Sequence, residues 1–282
     1  MTAPQPLPAE LRQLFPAQAA DHLALAAPLP AGRLLGSDEG DDRTPVMWMS
    51  SGPAPAGLWE RLHRERQRSG LWPLLLAPLR DEPDFRPWQS EELYPRQMSS
   101  PAGHDAATLL REWWEGVAVC QTDDPEEAEE RRAITAPFGS TWPGPAPSPD
   151  LVADPDEHAR AFAGRLIQGR AALRIGLIPA GSGADALSAC GWSGPVNHEN
   201  DTGKIAAVLR SWEQRFGARV VAAGFDTLHL SIAAPPAGIG QARLVAAEHL
   251  ALCPDNILQG TGTLTAYAEC LVGADSWMLW WD

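Results

Sequence analysis

Six side chains in the last third of the chain are of types that do chemistry: Asp226, His229, Glu248, His249, Cys253 and Asp255. Cys253 can act as a nucleophile with His229 as its base and Asp226 orienting the imidazole, provided strand and helix ends bring them together. His249 and Cys253 are four residues apart on one helical stretch, so their side chains share a face, and Asp255 adds a third ligand type for a zinc site. Asp226, Glu248, Asp255 and Asp282 supply carboxylates for acid and base work. Each arrangement also has a plainer reading. A closed zinc site needs four ligands at disciplined spacings and no second pair is visible, so no metal is expected. Cys253 precedes Pro254 at a helix end, where nothing favours its thiolate. On this reading Asp255 caps a turn, Glu248 accepts an indole N–H or a backbone amide, and two indoles tie the end of the chain, Trp280-Trp281-Asp282, into the fold.

Gly181-Ser182-Gly183-Ala184-Asp185-Ala186 follows a strand-like run and opens a short helix, a loose match to a dinucleotide-binding loop. That chemistry needs an acidic residue at the end of the next parallel strand, whereas Glu199 and Asp201 sit in a polar loop before a helix. An ordinary turn capped by Ser182 is expected, with no cofactor.

The elements that must position these residues follow from periodicity and punctuation. Residues 1–30, rich in Ala, Pro and Leu, predict short helices; 46–50 and 71–77 predict strands with a helix over 55–69 between them, a possible βαβ unit with parallel pairing. Residues 104–116 predict an amphipathic helix and 123–132 a solvated charged one. Five prolines at 137, 143, 145, 147 and 149 predict a polyproline-type linker, dividing an N-terminal α/β region (1–150) from a C-terminal α+β domain (151–282). Beyond it come a helix over 154–169, a strand over 173–178, a helix from Asp201 or Thr202 to Phe216 stopped by Gly217, a hairpin of 219–225 and 228–233, helices over 241–252 and 263–271, and an aromatic strand over 276–281. With the extra turns set aside, the order β-α-β-β-α-β is ferredoxin-like: a four-stranded antiparallel sheet with helices on one face.

Trp212-Glu213, Phe216-Gly217-Ala218, Asp226, Pro235-Pro236, Glu248, Cys253-Pro254-Asp255, Gln259-Gly260 and the closing Trp280-Trp281-Asp282 stand in an order that resembles a bacterial family catalogued as domain of unknown function 4253. The resemblance covers about residues 173–282 and departs from the family's usual aromatic residues at Leu252 and Leu279. It implies a domain identity and no catalytic role.

Composition bounds the function. The 282 residues carry 22 Lys and Arg against 36 Asp and Glu, a formal charge of −14, which repels phosphate backbones and anionic lipid; neither nucleic acid nor a membrane is expected as a partner. The longest apolar run, 71–79, is broken by Pro73 and Pro78 and falls far short of the roughly 20 residues of a membrane span. Residues 1–10 lack the basic and apolar regions of a signal peptide, so a cytoplasmic location is expected. Four separated cysteines read as reduced core residues, and twelve tryptophans predict an indole-rich core. The leading expectation is a protein-interaction module, an immunity-like inhibitor being one form, that meets a basic protein partner. The alternative is an enzyme of unknown reaction, such as a hydrolase, with a site near Asp226, His229, Glu248 and Asp255. Convergence of the six candidate residues in one cleft separates the two.

Overall fold

A computed structural model describes residues 5–39, 44–79, 85–118, 124–151, 153–170 and 172–282. The chain opens with a small antiparallel pair, β1 (Gln5–Pro6) and β2 (Ala24–Leu25), joined through short helices α1 (Ala9–Arg12) and α2 (Ala17–Ala20). Next come β3 (Gly32–Gly36), β4 (Pro45–Ser50), α3 (Leu58–Ser69), β5 (Leu71–Leu76), α4 (Ala106–Ala118), α5 (Pro125–Thr135) and α6 (Pro155–Gly169). The remainder is β6 (Arg174–Pro179), α7 (Gly183–Cys190), α8 (Thr202–Phe216), β7 (Arg219–Ala223), β8 (Thr227–Ser231), α9 (Ile239–Leu252), α10 (Leu264–Leu271) and β9 (Ser276–Trp280). The class is mixed α+β.

One seven-stranded sheet, in the order β3-β4-β6-β5-β7-β8-β9, carries the fold. Every pairing in it is antiparallel except β5 with β7. All six residues of β5 are buried, so both its faces are covered, as a strand at a sheet's centre requires. Pro73 has no N–H to give a ladder. The β5–β7 pairing is confined to Leu75–Ala222 and Leu76–Ala223, and the Val220 carbonyl accepts the Trp72 indole N–H at 3.2 Å.

This order corrects several expectations. The C-terminal strands do not form a ferredoxin-like sheet, because β5 from the first half of the chain lies between β6 and β7. The possible βαβ unit does not pair its own strands, because β6 is inserted between β4 and β5 and runs antiparallel to both. Helices cover both faces: Trp72, Leu74, Leu228 and Leu230 share a core with α4, α7, α8, α9 and α10, whereas Leu75, Ile175 and Val221 pack with α3 and α6. The proline-rich stretch is a packed strap. Within it Ala146 is buried, its N–H donates to Glu248 Oε1 (2.7 Å), and its carbonyl accepts from Arg215 (2.8 Å).

Local signals placed the helices well. Asp154 caps α6 by accepting from Glu157 N–H, and Asp201 caps α8 by accepting from Gly203 N–H. Gly217, at φ 57°, ends α8 in the left-handed conformation that a side chain disfavours. Trp48, Trp59, Trp72, Trp88, Trp114, Trp192, Trp212 and Trp281 are fully buried, giving the indole-rich core. Cys190 and Cys253 are free and buried, and Cys270 is exposed rather than in the core. Cys120 lies outside the described residues. Among the described residues no helix is long and apolar enough to cross a membrane.

Candidate functional site

The parallel pair β5 and β7 delivers two carboxyl ends to the same edge of the sheet, where the connections diverge and leave a crevice. β8 starts from this edge, and β9, antiparallel to it, finishes there with Trp281 and Asp282 beyond its end. The crevice holds about 700 Å³ and is lined by Arg86, Glu92, Tyr94, Asn197, Asp226 and Asp282 among others. A second crevice of similar volume shares Leu79, Phe225 and Asp226 with it and adds Arg170, Thr227 and Trp280.

Apolar burial fixes the wall made by the chain's last described residues. An indole carries roughly 200 Å², so at about 25 cal/mol per Å² burying Trp281 contributes on the order of 5 kcal/mol of transfer free energy. Its Nε1–H donates to the Leu252 carbonyl (3.0 Å), and its backbone N–H donates to the Asp226 carbonyl (3.0 Å). Trp280 Nε1–H donates to Asp226 Oδ2 (3.3 Å), and Asn197 Nδ2 donates to the Asp282 carbonyl (2.7 Å).

The charges in the crevice are unequally matched. Arg86 forks onto Glu92 at 2.7 and 2.9 Å while its guanidinium lies 4.7 Å from the Phe225 ring centre. The Arg86 hydrogen bonds hold the Glu92 carboxyl below its ordinary range. Burial, followed by the neighbouring Asp38 carboxylate, raises the Tyr94 phenol. Among the described residues Asp226 and Asp282 have no basic side chain in ion-pair reach; of their side-chain carboxylate oxygens, Asp226 Oδ2 accepts from Trp280 and Asp282 Oδ2 from Gln259.

Of the six candidates, Asp226 alone lines the crevice. Asp255 is nearby on the surface, where Oδ1 accepts from Gln259 (3.0 Å) and Oδ2 from the Asp282 N–H (3.1 Å). His229 alternates with Leu228 and Leu230 along β8 and so faces α6, with Nε2 3.3 Å from an Arg170 nitrogen. Burial first and Arg170 second push its pKa down to about 4. His249 is on the opposite side of the sheet, packed on Trp212 and Trp277, with Nδ1 3.0 Å from the Tyr267 hydroxyl, and burial lowers it to about 3. Glu248 is wholly buried and accepts from Ala146 N–H, Trp212 Nε1–H and both terminal nitrogens of Arg215, at 2.6 to 2.7 Å. The Cys253 thiol donates to the Trp280 carbonyl (2.9 Å), and burial raises its pKa. A protonated thiol on one face and a neutral imidazole on the other make no nucleophile and base pair. Among the described residues no three His, Cys, Asp or Glu side chains are grouped to hold a metal.

The Gly181–Ala186 loop is an ordinary helix start. Ser182 caps α7 by accepting from Asp185 N–H (3.3 Å), and the amide of Ala184 donates to Glu213 Oε1 (3.3 Å), so a carboxylate of the chain itself occupies this terminus. Burial raises the Glu213 pKa.

Three contributors had no usable signal in the sequence. Arg86 and Glu92 lie in an aperiodic stretch between β5 and α4, where only the folded chain shows that they meet. Asn256 follows Cys253-Pro254-Asp255 and opens a short π-helical turn, Asn256–Thr261. Its Oδ1 accepts from Trp280 N–H (2.9 Å) and its Nδ2 donates to the Met278 carbonyl (2.7 Å) and to Tyr267 (2.9 Å). β9 is the last strand of the sheet, and Asn256 with Cys253 fills part of its open hydrogen-bonding edge.

The fold and site thus define a mixed-sheet α+β protein with an open crevice at the carboxyl edge of the parallel pair β5 and β7. The C-terminal segment, residues 174–282, matches the family model described as Domain of unknown function (DUF4253). It contains β6 to β9 and α7 to α10, while the strand between β6 and β7 comes from outside it. Neither the curated proteins nor the solved structures contain a match to the chain.

Proposed function

We propose that this protein is an interaction module that binds a basic protein partner through the acidic crevice at the carboxyl edge of β5 and β7. The observation that carries the reading is Asp226 and Asp282, two carboxylates on an open crevice of about 700 Å³ with no cationic partner among the described residues. In the same crevice Glu92 is matched by Arg86. A net charge of −14 adds long-range attraction for a basic surface and speeds encounter with it. An immunity-like inhibitor, which blocks a basic partner by covering its functional surface, is one form of such a module. A hydrolase draws no support from the geometry, since Glu248 is consumed in a buried ion pair and His229 lies under α6.

The test is capture on the immobilised full chain, followed by identification of the partner and a binding measurement with both components pure. The expected partner is basic, its affinity falls between about 50 and 300 mM salt, and an Asp226→Asn/Asp282→Asn variant binds it at least about tenfold more weakly. A purified partner that is acidic, or whose binding ignores both salt and the double substitution, would refute the reading.

A further inference from the structure

We propose that the second crevice at this edge binds a small organic acid, a carboxylate on an apolar body, with Arg170 as its anchor. This site is separate from the one proposed for a protein partner and does not depend on it. The crevice encloses about 700 Å³, within the range of sites that take small molecules. Its walls are mostly apolar, with Pro78, Leu79, Leu173, Phe225 and Trp280 among them. Arg170 is the one cation in those walls among the described residues.

What Arg170 touches points to an anion. It follows α6 as its cap, with its backbone N–H on the Leu166 carbonyl, and among the described residues no carboxylate lies in ion-pair reach of its guanidinium. The neighbour is a second basic group: a guanidinium nitrogen lies 3.3 Å from Nε2 of His229, a side chain only 5% exposed. A guanidinium has no acceptor, so Nε2 accepts and the imidazole is neutral, its proton on Nδ1. That bond uses one of five N–H donors and neutralises nothing, so Arg170 is oriented while keeping its full charge. Arg86 in the neighbouring crevice differs, since Glu92 cancels its charge. Asp226 also lines this crevice, with Oδ2 on the Trp280 indole N–H, but burial and Arg170 alone lower the His229 pKa to about 4, so the field felt there is that of Arg170. Thr227, in the wall and two residues before His229 on β8, adds a hydroxyl on the same face of the strand. A carboxylate matches the guanidinium fork through two parallel N–H···O bonds and brings the single charge that one arginine balances. The apolar walls cover the rest of the ligand.

The experiment titrates the full chain with 3-phenylpropionate, 3-phenylpropionamide, acetate and inorganic phosphate, by calorimetry and by following the Trp280 indole N–H resonance in NMR spectra. The expected result is saturable binding of 3-phenylpropionate with a dissociation constant below about 5 mM and a shift at Trp280. The amide keeps the shape and loses the charge, and acetate keeps the charge and loses the apolar body; each is expected to bind at least about tenfold more weakly. Arg170 is exposed and its backbone makes the cap, so Arg170→Gln removes the charge without risk to folding and should weaken 3-phenylpropionate at least about tenfold. Arg170→Lys, which keeps the charge and loses the fork, should lie between the two. No saturation by 3-phenylpropionate at about 10 mM, an amide as tight as the acid, or an affinity unchanged in Arg170→Gln would overturn the proposal. Phosphate binding more tightly than 3-phenylpropionate would overturn it as well, by making the crevice a phosphate site.

Discussion

Replacing Glu248 by alanine removes the acceptor of four hydrogen bonds and leaves Arg215, whose side chain is 15% exposed, without its carboxylate. Arg215 keeps its bonds to the Ala146 carbonyl and the Ser211 hydroxyl, but the Trp212 indole and the Ala146 amide lose their partner in the core. Breaking a buried pair from one side costs about 3–5 kcal/mol. At about 2–4 °C of melting temperature per kcal/mol for a chain of this size, the midpoint falls by roughly 6–20 °C. Glu248→Gln retains an uncharged acceptor and should lie between wild type and alanine. Urea denaturation gives the free energies and scanning calorimetry the melting temperatures. Replacing both partners by apolar residues, Arg215→Met/Glu248→Met, should recover part of the loss, because no lone charge then remains buried. A loss below about 1 kcal/mol for Glu248→Ala would refute the reasoning, since it would make the four bonds and the strap they anchor energetically idle.

The buried histidines set a pH dependence. Folded His249 titrates at about 3 and His229 at about 4, against 6.5 for an ordinary histidine. Their contribution to stability is therefore complete above about pH 6.5 and is lost as the pH falls toward the folded values, by about 1.4 kcal/mol per pH unit and group. Glu213, whose pKa is raised, acts in the opposite sense, so the comparison is made with His249→Phe: its urea midpoint should fall less between pH 7 and 5 than that of wild type, and parallel slopes would exclude the mechanism. Asn256→Ala should cost about 1–3 kcal/mol and uncover the outer edge of β9, with concentration-dependent self-association on gel filtration; an unchanged elution profile at all concentrations would show that another feature guards the edge.

Helix boundaries were legible in the sequence because their causes are local. Asp154 and Asp201 cap the amides that follow them, Gly217 stops α8, and a 3.6-residue apolar period marks the face of α8 that packs on the sheet. The plain reading of Glu248 was legible for a related reason: a carboxylate on an apolar helix must find donors, and in an indole-rich core one of them is the Trp212 N–H. The candidate site was legible at Asp226 and Asp282, two of the carboxylates that the sequence offered. The two histidines looked equivalent as chemistry, yet alternation along β8 puts His229 under α6 while His249 lies beneath Trp277 on the other face.

By itself the sequence determined the class of fold, the family model that the C-terminal segment matches and most helix ends, since composition, ordered motifs and caps act within a few residues along the chain. Tertiary structure alone decided that β5 enters the sheet between β6 and β7, that Arg86 meets Glu92 over Phe225, and that Asp226 and Asp282 share one crevice. Strand order depends on burial summed over both faces of the whole sheet. A strand as uniformly apolar as β5 states that it belongs at the centre without stating which neighbours it will have.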